Sequence, residues 1–312
     1  MKYQGYSNEG GRVVDTSRVS EYVATMRRAM SDSAYALPEA SLRLPFDEVL
    51  LKKSHALAAK LAGPKLAYIL DIGIGGSNLG AKALYEATAG TLDAHTPFAP
   101  KILFADTCAP ELLADITEIL VSEIVEKEEI IIIVASKSGT TTETILNASV
   151  LVSALEQKLG SLAERIVCST DENSPLWQVG TTHGFHLLPV PKMVGGRYSV
   201  FSPAGVFPLL CAGVEVEALF LGAKSVIDNT IDRGAESDAY KLAQDMLVWH
   251  DKGAVIFDFF AFHPELESVG KWYRQLFAES LGKATTVDGA PTTHRMVPTV
   301  SLGSTYLHSV EQ

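Results

Sequence analysis

Between the apolar run Glu129-Ile130-Ile131-Ile132-Ile133-Val134 and a helix-like segment lies Ser136-Lys137-Ser138-Gly139-Thr140-Thr141-Thr142. Five hydroxyls, a lysine and a glycine in seven residues suit the binding of an anion. A helix start offers free backbone N–H groups and the positive end of a dipole. Short hydroxyls add donors without bulk, and a glycine lets the backbone approach a ligand. A plain helix cap is the simpler reading, but one hydroxyl suffices for a cap. The spacing therefore predicts a phosphate cradle in which Ser136, Lys137, Ser138 and Thr141 are the candidate donors.

Four other stretches carry chemistry-bearing residues. Gly73-Ile74-Gly75-Gly76-Ser77-Asn78-Leu79-Gly80 is a backbone-exposing turn. It is not a dinucleotide fingerprint, because Asn78 replaces the third glycine, nor a P-loop, because no Gly-Lys-Ser/Thr ending follows. Gly76 and Ser77 are its candidate ligand contacts, and a plain tight turn is the alternative. In Gly195-Gly196-Arg197-Tyr198-Ser199, Arg197 suits a developing negative charge; alone it reads equally well as an interdomain arginine. Gln275 and Glu279 share a helix face, and a carboxylate near a helix end among apolar neighbours is the kind whose pKa rises towards that of a general base. On spacing alone, an exposed Glu279–Lys283 pair is the stronger reading. His308 stands near the end, and no His/Cys/Asp set has metal-ligand spacing.

The elements that must position these residues follow from periodicity. Strands are expected at Leu66–Ile72, Lys101–Ala105, Glu129–Val134, Arg165–Cys168 and Phe185–Val190, with helices at Asn78–Thr88 and Thr144–Leu159. The alternation implies a parallel sheet covered on both sides, with ligands at the carboxyl ends of its strands. A second unit is expected after Pro191–Gly196: helices at Pro203–Gly213, Glu236–Trp249 and Leu266–Leu281, and strands at Ala254–Phe259 and Arg295–Val300. Val19–Met30 and Pro45–Leu61 read as peripheral helices. The expected division is residues 1–64 (helical), 65–194 (first α/β domain) and 195–312 (second, C-terminally short).

Composition narrows the class. The chain has 312 residues, 47% hydrophobic and 20% charged, as in ordinary globular enzymes. A net charge of −11 argues against a nucleic-acid surface. Cys108, Cys168 and Cys211 are far apart and read as reduced, buried residues. Neither an apolar leader nor a run of about 20 apolar residues is present, so the expected location is cytoplasmic and off the membrane.

In order and type, these motifs resemble the phosphoglucose isomerase family, which is built from sugar-isomerase domains. The resemblance runs from about residue 66 to the end. It rests on Gly73–Ser77, Ser136–Thr144, Gly195–Ser199, Gln275 with Glu279-Ser280-Leu281-Gly282-Lys283, and His308-Ser309 followed by Gln312. It implies two doubly wound parallel-sheet domains, the second incomplete, and interconversion of glucose 6-phosphate and fructose 6-phosphate through a cis-enediol. It also implies Glu279 as base, Arg197 as stabiliser of the enediolate, and His308 as an aid to ring opening that reaches the site from the partner of a homodimer. The cradle would hold the phosphate of a hexose 6-phosphate, and Gly76, Ser77 and Gln275 would contact the sugar phosphate. No cofactor or metal is implied.

The family continues past its histidine motif with a lysine used in ring opening, which has no counterpart here. The chain is therefore expected to be a fragment or a short protein. Tyr306 stands where many bacterial members carry an acidic residue. A sugar-phosphate-binding module and a dual phosphoglucose/phosphomannose isomerase are the competing readings.

Overall fold

A computed structural model describes residues 16–90, 100–286, 288–292 and 296–309. In chain order it contains α1 (Thr16–Ser31), α2 (Glu48–Leu61), β1 (Tyr68–Gly73), α3 (Leu79–Ala89), β2 (Lys101–Ala105), α4 (Pro110–Glu123), β3 (Ile130–Ala135), α5 (Thr142–Leu159), β4 (Ile166–Thr170), α6 (Pro175–His183), β5 (His186–Pro189), α7 (Pro203–Cys211), α8 (Val216–Arg233), α9 (Asp238–Asp251), β6 (Ile256–Ala261), α10 (Glu267–Leu281) and β7 (Val297–Leu302).

β3 explains the centre of the fold. Its β-branched residues favour extended backbone, and all six of its residues are buried. The five-stranded sheet is parallel in the order β2-β1-β3-β4-β5. Strand alternation sends Ile69, Ile131, Ile133 and Val167 to a core shared with α2, α3, α7 and α8. Leu70, Ile72, Ile132 and Val134 go to the opposite face, under α4, α5 and α6. Both faces are covered, so the first sheet is doubly wound.

That packing runs across the expected divisions at 64/65 and 194/195. Ala58 and Leu61 of α2 and Phe207 and Leu209 of α7 belong to the same core as β1 and β3. Among the described residues the second sheet is one β6–α10–β7 unit with parallel strands in register from Ile256↔Val297 to Ala261↔Leu302. Gly270 lets α10 lie close on it, since a Cβ there would stand 2.6 Å from Val300 and 2.8 Å from Phe259. Arg295, the expected start of β7, lies outside the described residues.

Three helices were not anticipated. α4 and α6 announce themselves by proline in the first turn, and α6 also by a Ser174 cap that accepts from Trp177 N at 3.1 Å. α8 buries Val216, Phe220 and Ile231 but leaves Leu221 and Val226 exposed, so its apolar period is blurred. Cys108 is exposed, contrary to expectation. It sits in the loop before α4, where its thiol donates to Asn147 Oδ1 at 3.2 Å. Cys168 and Cys211 are buried, which pushes both thiols up to about 12.

Asp71, inside β1 between Phe104 and Ile133, is fully buried, and neither carboxyl oxygen has a hydrogen-bond partner among the described residues. Burial first, and Asp106 second, raise its pKa well above the usual carboxylate range. The folded chain therefore holds this proton more tightly than the unfolded chain does. Stability should fall as pH rises from about 4 towards the raised native pKa, by up to about 1.4 kcal/mol per pH unit. Asp71→Asn should remove that slope, and its gain in urea midpoint over wild type should be larger at pH 8 than at pH 5. Parallel midpoint-versus-pH curves for the two proteins would show that Asp71 does not titrate this way.

Candidate active site

In the first sheet the chain order reverses between β1 and β3, and loops leaving such neighbours diverge to open a crevice at their carboxyl ends. The last register pair is Gly73↔Ala135, so the glycine turn and the hydroxyl loop leave the sheet at the same level.

The hydroxyl loop is tightly built. Gly139 has φ +67°, and a Cβ there would meet Leu176 N and Ser174 Oγ at 2.8 Å. Ser136 Oγ accepts from Gly139 N at 3.2 Å and lies 3.0 Å from Thr141 Oγ1. Ser138 Oγ accepts from Thr140 N at 3.2 Å. Thr170 Oγ1 donates to Ser136 O at 2.6 Å, tying the loop to β4. Thr141 is the N-cap of α5, yet its side chain makes no capping bond. The simple-cap reading is thus not what this hydroxyl does, and the positive end of α5 stays open. Lys137 is partly desolvated, which lowers its pKa against the opposing effect of Asp171.

The glycine turn is closed by the residue that breaks the dinucleotide pattern. Asn78 is buried and its Nδ2 donates to Gly73 O at 2.7 Å. A Cβ on Gly76 would lie 2.3 Å from Gly196 C and 2.4 Å from Arg197 N, so here two backbones touch. Ser199 Oγ donates to Gly76 O at 2.9 Å and fixes that contact. Ser77, half-buried, ends the turn with its N–H on Ile74 O at 3.2 Å.

α10 closes the crevice from the second unit. A Cβ on Gly75, whose φ is +56°, would stand 3.0 Å from Gln275 Nε2. That Nε2 donates to Glu279 Oε1 at 2.8 Å. Arg197 Nη1 meets Glu279 Oε2 at 3.2 Å, while its Nε donates to Ser280 Oγ at 3.0 Å. Trp272 Nε1 donates to Arg197 O at 3.0 Å. Glu279 is 48% exposed and its neighbours are polar rather than apolar; its ion-pair partner is Arg197, 82 residues away, not Lys283.

Gly76, Arg197, Gln275 and Glu279 therefore meet, with Ser77 in the same turn and Ser136, Lys137, Ser138 and Thr141 beside it across the β1/β3 junction. His308 does not join them within one chain. It ends an exposed turn after β7 and has no hydrogen bond or ion pair with these residues among the described contacts. Tyr198, Ser199 and Ser280 stood inside the motifs but were given no role from sequence, and Trp272 was not singled out, because an isolated hydroxyl or indole carries no signal until its partner is known. No group of three or more His, Cys, Asp or Glu among the described residues could hold a metal.

The sequence profile of the phosphoglucose isomerase family matches residues 53–305. The glucose-6-phosphate isomerase of Rubrobacter xylanophilus is 32% identical over 96% of this chain and 67% of its own. The probable glucose-6-phosphate isomerase of Haloarcula marismortui is 34% identical over 77% and 51%. In fold, a glucose-6-phosphate isomerase from Chlamydia trachomatis superposes with a TM-score of 0.78 at 22% identity, covering 95% of this chain and 61% of the other. The chain thus spans about half to two thirds of the length of these relatives. A profile match over most of the sequence, joined to identities above 30%, shows that this chain belongs to the phosphoglucose isomerase family.

Proposed function

We propose that this chain interconverts glucose 6-phosphate and fructose 6-phosphate through a cis-enediol. The observation that carries the reading is the Arg197–Glu279–Gln275 cluster held over the glycine turn, next to an anion seat with an open helix start. Glu279 moves the proton between C2 and C1. As it takes that proton, negative charge passes from its carboxylate to the enediolate, and Arg197 remains the counter-ion throughout, so little reorganisation is needed. Gln275 Nε2 is committed to Glu279, and its Oε1 is buried without a partner among the described residues, an acceptor for a sugar hydroxyl. Gly76 and Ser77 offer backbone and hydroxyl contacts to the sugar phosphate. The non-reacting phosphate, held by Ser136, Lys137, Ser138 and Thr141, provides binding energy that positions the carbons.

His308 belongs to this reading as a group supplied to the partner's site in a homodimer; its exposure in the single chain is compatible with that role. Among the described residues no helix is long and apolar enough to cross a membrane, and the proposed location is the cytoplasm.

The test is turnover of fructose 6-phosphate in D2O, followed by NMR. Partial incorporation of deuterium at C2 of the glucose 6-phosphate formed is expected, because the proton carried by Glu279 exchanges with solvent in a fraction of turnovers; tight binding without turnover would overturn the reading in favour of a binding module. Ser136→Ala combined with Thr141→Ala should raise KM about tenfold or more with a smaller change in kcat, because each removes a phosphate donor. An unchanged KM would sink the cradle assignment.

A further inference from the structure

Hydroxyls inside helices of this chain usually donate back to the carbonyl one turn earlier. Ser54 to Leu50 O, Thr88 to Leu84 O, Thr117 to Leu113 O and Thr181 to Trp177 O all do so. Ser280, in the last turn of α10, departs from the habit. Its Oγ accepts from Arg197 Nε at 3.0 Å and lies 2.7 Å from the Tyr198 hydroxyl. Both partners come from the Gly196–Phe201 turn, more than 80 residues away. The Arg197 guanidinium also lies over the Tyr198 ring, 4.5 Å from its centre. The guanidinium is thus fixed by a hydroxyl at Nε, an aromatic ring against it and the Glu279 carboxylate at Nη1.

We propose that Ser280 and Tyr198 are positioning residues that set the orientation of Arg197 towards the reacting oxygens. An arginine loses its geometric advantage if its planar fork rotates, and an ion pair to a half-exposed carboxylate leaves that rotation free. The Nε bond removes it. Ser280 is adjacent in sequence to Glu279, so one turn of α10 places the base and orients its counter-ion together. When Glu279 becomes protonated its hold on Nη1 weakens, and the Ser280 and Tyr198 contacts keep the guanidinium in place while the enediolate exists. This inference rests on the isomerase reading.

The experiment is a double-mutant cycle on the full chain. Ser280→Ala should lower kcat about tenfold with KM within about twofold, since the lost contact acts only where charge develops. Ser280→Thr should restore most of the loss, and Tyr198→Phe should lower kcat in the same sense. In an Arg197→Lys background, which has no Nε fork, Ser280→Ala should change kcat less than about twofold. A further tenfold loss there would overturn the proposal. If wild type fails to turn over, the isomerase reading falls but the positioning claim is still decided by NMR. The Arg197 Nε–H should exchange with water about ten times faster in Ser280→Ala than in wild type, and equal exchange rates would refute it.

Discussion

Replacing Glu279 by glutamine is expected to reduce kcat about a thousandfold, with little change in KM. The amide keeps the size and the hydrogen-bonding reach of the carboxylate, so Gln275 and Arg197 retain a neighbour, but it cannot accept a proton. General-base catalysis contributes roughly 10²–10⁴ in rate, and the expected loss lies at the middle of that range. A second effect adds to it. With neutral glutamine beside it, Arg197 loses the charge it pairs with at 3.2 Å, so binding of the substrate phosphate nearby should be preserved or slightly tightened. A coupled assay of fructose 6-phosphate conversion gives both constants. Wild-type kcat in the glutamine variant would remove Glu279 from the mechanism.

Gly76→Ala should be the most damaging single methyl group in the site. The added Cβ would stand 2.3 Å from Gly196 C and 2.4 Å from Arg197 N, and both are backbone atoms that no rotamer change can clear. The two loops must separate, breaking the Ser199 bond to Gly76 O and shifting Arg197 away from Glu279. Overpacking of this kind costs about 3 kcal/mol, worth roughly 5 °C in melting temperature for a domain of this size. Catalytic efficiency should drop about a hundredfold or more, because a displacement of about 1 Å in a positioning element has that effect. Gly63→Ala is the control: nothing lies within 4 Å of a Cβ there, and its melting temperature should stay close to that of wild type. A Gly76→Ala protein with wild-type melting temperature and activity would mean that the loops do not touch in solution.

The first sheet was legible because its strands are short apolar runs with turn chemistry at their ends. β2 falls on the expected residues, and β1, β3, β4 and β5 lie within two residues of expectation. In the second unit β6 is likewise offset by two residues, Ile256–Ala261 against Ala254–Phe259, because hydrophobicity locates a run but not the residues that bound it, and α8 was missed altogether. The polar partners were not legible. Glu279 has Lys283 one turn away on the same helix, and local spacing favours that pair. Arg197 wins because α10 is docked against the Gly196–Phe201 turn, with Trp272 bonded to the Arg197 carbonyl.

By itself the sequence determined the parallel first sheet, the loop rich in hydroxyls ahead of α5, and the residue types available for acid–base and anion chemistry. Those follow from local steric preference, hydrophobic period and helix-end electrostatics, all of which act over a few residues. Only the tertiary structure decided that Gly76 abuts Gly196, that Glu279 faces Arg197, and that Ser280 turns from its own helix to hold that arginine. These contacts join positions about 80 to 120 residues apart. Their geometry is set by how α10 and α3 pack, and no local pattern encodes it.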